Sequence, residues 1–176
     1  MGFTQTDKDE IAGFLTRNPI GVISTISKEY APASAIVYFT VTKDLNFYFM
    51  TREETEKAKN LVDSPNVAIA VYDPRTLEAL QVQGIAKLMT EPHEMHEAMG
   101  SLQKIIGQEK KFWRRPAEEV MPSVAHEDTS TWVPPLAQLN KGSHVVVKIQ
   151  PHWVRFRVYE SEKTNVAEYK EIEGTF

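Results

Sequence analysis

The chain contains no cysteine. Disulfide frameworks, thiolate metal sites, iron–sulfur clusters and cysteine nucleophiles are therefore excluded. The opening MGFTQTDKDE has neither the basic nor the apolar part of a secretory leader, so a cytoplasmic protein is expected. Gly2 and Thr6 do match the spacing for myristoylation, but Thr6 with Asp7 and Glu10 reads as an ordinary helix start. A basic surplus is also missing. The net charge of -4 argues against nucleic acid as the main partner. No Gly-x-Ser-x-Gly stretch points to a serine hydrolase. His93 and His96 sit in HEMH rather than HExxH, and His126, His144 and His152 are scattered, so no metal site is expected.

What is present is an ordinary globular composition, 41% apolar and 25% charged over 176 residues. That is enough chain for one domain with a real core and gives no sign of a membrane span. No linker, repeat or low-complexity tract divides it, so residues 1–176 are expected to form a single domain.

Thr6 to Arg17 reads as a helix with Ile11, Phe14 and Leu15 buried, ended by Asn18-Pro19. Ile20 to Ile26, Ala33 to Val41 and Leu45 to Met50 read as three strands joined by short turns, an antiparallel meander. A short helix buries Ala58, Leu61 and Val62 and stops at Ser64-Pro65. Val67 to Tyr72 and Leu77 to Met89 are two more strands. In the second of these, Leu80, Val82, Ala86 and Leu88 share one face, and Gln81, Gln83, Ile85 and Lys87 the other. Gly84 in its middle predicts a bulge or a close approach.

Glu91 to Gly107 reads as a third helix, with Met95, Met99, Leu102 and Ile106 at helical spacing. Residues 108–143 lose the pattern at Pro116, Pro122, Pro134 and Pro135 and read as an irregular insertion, with a short helix near Pro116 to Met121. Val145 to Ile149 and Trp153 to Tyr159 are strand-like and meet at Gln150-Pro151. The charged stretch 161–176 is expected to be a mobile tail. Six strands that meander disfavour a doubly wound sheet. The expected fold is mainly β, a six-stranded antiparallel split or closed barrel with peripheral helices.

The stretch that carries chemistry is Leu45 to Leu61, LNFYFMTREETEKAKNL. A strand stops at Thr51-Arg52 and a basic helix begins, where free N–H groups and the helix dipole favour an anion. It has no glycine and is no Walker loop. Two readings compete. Thr51 to Glu54 forms a capping box and the lysines are a solvated face. Alternatively Thr55 caps, leaving Thr51 to Glu54 as a loop that folds round an anion with Lys57 in the helix's first turn, against which Glu53, Glu54 and Glu56 would count.

Gln81 and Gln83 are either solvent-exposed or amides set against a planar heterocycle. Trp113, Trp132 and Trp153 fill the core or cover a flat ligand or a subunit contact. Lys110, Lys111, Arg114 and Arg115 around Phe112 and Trp113 read as a solvated face.

Taken in order, Ala31-Pro32-Ala33-Ser34-Ala35, Leu45 to Thr51, Thr55 to Leu61, Ser64-Pro65-Asn66-Val67-Ala68 and Val82-Gln83-Gly84-Ile85-Ala86 resemble the pyridoxamine 5'-phosphate oxidase-like family of flavin-binding split barrels. The resemblance covers roughly residues 10–90 and implies a homodimer with FMN between subunits. It implies that Thr51 and Lys57 hold the FMN phosphate, with Arg52 close by and Thr55 in support. Ser34 and Ala35 would run beside the isoalloxazine, chiefly through backbone, and Gln81 and Gln83 would approach its edge. Trp153 or Arg155 would reach it from the other subunit.

The chain departs from true pyridoxamine phosphate oxidases in three places. Glu56 stands where they have a basic residue, Ile36, Val37 and Tyr38 replace basic residues on the second strand, and their arginine-histidine stretch near the C-terminus is absent. The resemblance therefore implies the fold and an FMN-dependent oxidoreductase of unidentified small-molecule substrate, with a reduced nicotinamide or reduced substrate as electron source. A non-catalytic flavin, haem or deazaflavin binder of the same fold is the alternative.

Overall fold

The computed structural model describes residues 2–90, 92–113, 144–159 and 169–176. Helix α1, Gln5–Arg17, starts two residues earlier than a Thr6 cap would set it. Thr4 is the cap: its Oγ1 accepts the Asp7 N–H at 3.2 Å, and Asp7 Oδ2 accepts the Thr4 N–H at 2.9 Å. This reciprocal pair satisfies two otherwise orphaned donors. Ile11, Phe14 and Leu15 are fully buried, as their spacing predicts.

The strands are β1 Ile20–Ile26, β2 Pro32–Val41, β3 Phe47–Arg52, β4 Asn66–Asp73, β5 Glu78–Leu88, β6 His144–Tyr159 and β7 Tyr169–Thr175. Helix α2, Glu56–Asp63, joins β3 to β4, and α3, Pro92–Trp113, follows β5. The strand order is β3-β2-β1-β4-β5-β6-β7, all antiparallel, and β3 also pairs with β6 from Phe47↔Ile149 to Arg52↔His144. That pairing closes six strands into a barrel. Closure removes two sheet edges and turns one face of every strand into a core.

Period-two alternation decides which face goes in. Along β4, Val67, Ile69 and Val71 are buried while Ala68, Ala70 and Tyr72 are exposed. Phe39, Phe47, Phe49 and Phe156 fill the interior with Leu80, Val82 and Ile149. Each fully buried side chain of this size contributes roughly 1.5–3 kcal/mol. Tyr48 faces outward and packs under α3 with Met89, Ala98 and Val146. Its hydroxyl donates to Glu94 Oε1 at 2.6 Å, which also accepts Lys148 Nζ–H at 2.7 Å.

Several elements differ from the sequence expectation. Leu45 lies in the turn before β3 with φ 61, its fully buried side chain compensating for that left-handed backbone. Val62 is 71% exposed rather than buried, because it stands a helical step past Leu61. Asn60 takes the inward position instead. The segments flanking Gln150-Pro151 are one continuous strand, with Pro151 buried at a bulge where His152 is the extra residue. Helix α3 continues past Gly107 to Trp113, so the irregular insertion does not begin at 108. Trp132, Arg114, Arg115 and the short helix expected near Pro116 lie outside the described residues.

Residues 169–175 are a strand, not a mobile tail. β7 extends the sheet beyond β6, and its outward carboxylates pair with arginines there, which its charged composition alone does not announce. Among the described residues no helix is long and apolar enough to cross a membrane.

Gly84 meets its expectation in both senses. The register shifts between Gln83 and Gly84, and a Cβ on Gly84 would stand 2.6 Å from Gln150 O and 2.9 Å from Ile149 Cγ2. Gly84→Ala is therefore expected to destabilise the fold by roughly 1–3 kcal/mol, read as a lower urea midpoint at unchanged slope. A wild-type midpoint would show that β6 moves away at no cost.

Asp73, at the end of β4, accepts from Arg75 N, Nε and Nη2 at 2.9, 3.0 and 3.0 Å. The Arg75 side chain and backbone hydrogen bonds hold its carboxyl at about 2, below the ordinary 3.8. A depressed carboxyl stabilises the fold above its unfolded value, and that contribution is lost as pH falls through the folded one. The gap in urea midpoint between wild type and Asp73→Asn should be full at neutral pH and close between 3.8 and about 2. A pH-independent gap would refute this.

Candidate functional site

Thr51, one residue before the end of β3, is buried. Four residues on, Thr55 occupies the N-cap position of α2, and the two Oγ1 atoms are 3.0 Å apart. The Thr55 hydroxyl donates to the Arg52 carbonyl at 2.8 Å. Its single proton is thereby spent, so Thr51 donates to Thr55. Thr55 makes no side-chain cap to the helix. The first-turn N–H groups of α2 thus receive nothing from it, while the helix dipole still points its positive end at the same place.

This corrects part of both sequence readings: Thr55 takes the N-cap position without a side-chain cap, and Thr51 and Arg52 lie in β3 rather than in a loop. The Thr51 to Glu54 capping box does not form: Thr51 and Arg52 are in β3, and Arg52 Nε lies 2.8 Å from Glu54 Oε1. Glu53, Glu54 and Glu56 are all exposed, so the carboxylates that would repel an anion face solvent. Lys57 is half-buried, and burial pushes its ammonium pKa down from 10.5. Among the described residues no carboxylate pairs with it. A half-buried ammonium without a counter-ion, a hydroxyl pair and an uncapped helix start fit a phosphate dianion.

The rest of the predicted set lies on the outer face of the barrel wall. Ser34↔Ser24, Ser24↔Ala68, Ala68↔Gln83 and Gln83↔Trp153 are successive partners in one row across five strands. The next row runs Ile36↔Val22, Val22↔Ala70, Ala70↔Gln81 and Gln81↔Arg155. Four strand spacings separate Ser34 from Trp153, about 19 Å along the curved sheet. One chain therefore places Gln83 beside Trp153 and Gln81 beside Arg155, and sets Ser34, on β2, three strands away from the two glutamines. Ala35 points the other way, into the core, and offers only its backbone to this face.

Sequence reasoning missed the residues that tie the two parts together. Asn60 is buried and donates through Nδ2 to Thr25 Oγ1 at 3.0 Å, fixing α2 to β1. Beside Thr25, Ser24 Oγ meets Ser34 Oγ at 2.9 Å. A polar residue at an inward helix position, between Ala58 and Leu61, was the available signal for Asn60. Glu173 was also missed. Its carboxylate receives the Trp153 indole N–H at 3.0 Å and Arg155 Nε–H at 2.9 Å, a partnership across strands that no local pattern reveals.

Comparison with known proteins agrees with this architecture. A Nostoc punctiforme structure described as a pyridoxamine 5'-phosphate oxidase-related, FMN binding protein matches at 16% identity and a TM-score of 0.56, covering 99% of this chain and 100% of that one. The heme binding protein of Mycobacterium smegmatis matches at 13% identity and a TM-score of 0.61, covering 98% of this chain and 59% of that one. At such identities these likenesses show the fold. A curated Caenorhabditis elegans protein named "Putative pyridoxamine 5'-phosphate oxidase" is 29% identical over 73 residues, 42% of this chain. The match spans 31% of that relative's length. The family model described as pyridoxamine 5'-phosphate oxidase matches residues 7–157, most of the chain from α1 to the end of β6, and the protein belongs to that family.

Proposed function

We propose that the protein is a cytoplasmic, homodimeric, FMN-dependent oxidoreductase acting on a small molecule, with the flavin held between subunits. The observation that carries this reading is Lys57, a half-buried ammonium without a described counter-ion at the uncapped start of α2, beside the Thr51–Thr55 hydroxyl pair. Such a corner suits the phosphate of a mononucleotide. Bound FMN supplies hydride and electron transfer, with a reduced nicotinamide or a reduced substrate as donor. The chain's own residues bind and orient it: Thr51, Thr55 and Lys57 take the phosphate, the Ser34 edge of β2 flanks the ring, and Gln81 and Gln83 offer amides to its polar edge.

The same outer face supports the dimer reading. Val22, Ile36, Tyr72 and Ile85 are exposed there, Ile36 to 72%, around the small Ala68 and Ala70 of β4. An exposed apolar sheet face of this kind is suited to burial against a partner. A two-fold axis along the strands at β4 would lay the β6 side of one copy over the β2 side of the other. The partner's Trp153 and Arg155 would then approach Ser34, closing the distance that one chain leaves open.

The purified protein is expected to show flavin absorption, with FMN as the extracted species. A Soret band would instead favour haem, in keeping with the Mycobacterium smegmatis likeness. Flavin that no nicotinamide donor reduces would favour a carrier. Lys57→Ala should weaken FMN binding about 10- to 100-fold in a fluorescence titration, the loss of one charged hydrogen bond, at unchanged melting temperature. Unchanged affinity would remove Lys57 from the site.

Ile36→Glu should give a monomer in sedimentation and lower FMN affinity with it, since a buried unpaired carboxylate opposes association. A dimer of wild-type affinity would place the interface elsewhere.

A further inference from the structure

Glu173 spends both of its carboxylate oxygens on β6. Oε1 accepts the Trp153 indole N–H at 3.0 Å and Oε2 accepts Arg155 Nε–H at 2.9 Å. The Arg155 guanidinium lies over the Trp153 ring, 5.0 Å from its centroid. The three side chains thus form a closed triangle in which each touches the other two. Trp153 continues the row of Gln83, and Arg155 the row of Gln81. Glu171 pairs with Arg157 and lies 3.9 Å from Arg155 Nε, so β7 matches both of these β6 guanidiniums with carboxylates.

An arginine and an indole at a half-exposed surface otherwise sample several rotamers, and ordering them on binding costs free energy. Glu173 meets that cost beforehand. Its hydrogen bonds from Arg155 and then Trp153 hold its carboxyl below the usual range, so it is ionised at neutral pH. It therefore also compensates the charge of Arg155.

We propose that Glu173 is a positioning residue of the flavin site. It fixes the Trp153 indole and the Arg155 guanidinium on the outer sheet face in the pose, and with the net charge, that the flavin meets, so the C-terminal strand β7 is part of the site. This rests on the FMN-binding reading above.

The test compares Glu173→Gln and Glu173→Ala with wild type in the full-length protein loaded with FMN. Glu173→Gln keeps the shape and one acceptor but removes the charge. It should bind FMN within a few-fold of wild type and raise the flavin midpoint potential, because an uncompensated Arg155 favours the reduced, more anionic flavin. Glu173→Ala loses both hydrogen bonds. It should weaken FMN binding severalfold and alter the visible circular dichroism of the bound flavin.

Melting temperatures should stay near wild type, since half-exposed ion pairs of this kind add little stability. Wild-type affinity, dichroism and potential in both variants would overturn the proposal while leaving the FMN reading intact. A wild-type protein that takes up no FMN would overturn both.

Discussion

Everything in this structure depends on the pairing of β3 with β6. These strands are separated by nearly a hundred residues, yet they run together from Phe47↔Ile149 to Arg52↔His144. Without that pairing β3 and β6 would each present an unpaired edge, and the phenylalanines of β2 and β3 would have no opposite wall. With it, Phe39, Phe47, Phe49 and Phe156 meet in one interior. The same ladder delivers Thr51 to the barrel rim, opposite Val145, where β3 gives way to α2. The closing contact runs directly into the Thr51–Lys57 corner where β3 gives way to α2.

At this corner the charges are sorted by exposure. Six of the nine residues from Thr51 to Lys59 carry charge, three of each sign, so in sequence they cancel. The turn at Glu53-Glu54 and the first turn of α2 separate them. Glu53, Glu54 and Glu56 reach solvent, where their repulsion of an anion is screened, whereas Lys57 is half-buried and its field is not. Asn60 holds this arrangement in place. Its buried amide is bonded to Thr25, so α2 is fixed in rotation about its own axis as well as in position. The same bond sets α2 against β1 one residue from Ser24, whose hydroxyl touches Ser34.

The outer wall divides into zones by strand. β4 contributes small alanines, β1 and β2 the apolar Val22 and Ile36, β5 the amides Gln81 and Gln83, and β6 and β7 an ion-paired rim. β7 was invisible in the sequence because its outward residues are charged and its inward face is brief, Ile172 and Gly174. Each carboxylate there satisfies a guanidinium on β6, an arrangement that needs the register Arg155↔Glu173 and Arg157↔Glu171 and cannot be seen in either strand alone. Lys170 also reaches Glu10 of α1, which ties this edge strand back to the start of the chain.

What the sequence determined by itself was whatever depends on a local period or a local backbone requirement. Alternation in 67–72 and 80–88 announced strands with a buried face, the spacing of Ile11, Phe14 and Leu15 announced α1, and Gly84 announced a close approach. The Thr51 to Lys57 cluster was legible too, as residue types at a strand-to-helix step. Tertiary structure decided the rest, because those questions concern partners distant in the chain. It chose Thr55 over Thr51 at the start of α2 and turned the glutamates outward. It exchanged Asn60 for Val62 at the inward position, made one bulged strand of the two segments around Pro151, and brought a charged C-terminal stretch into register with β6. Local sequence states a residue's preference; which carboxylate meets which cation is set only when the barrel closes.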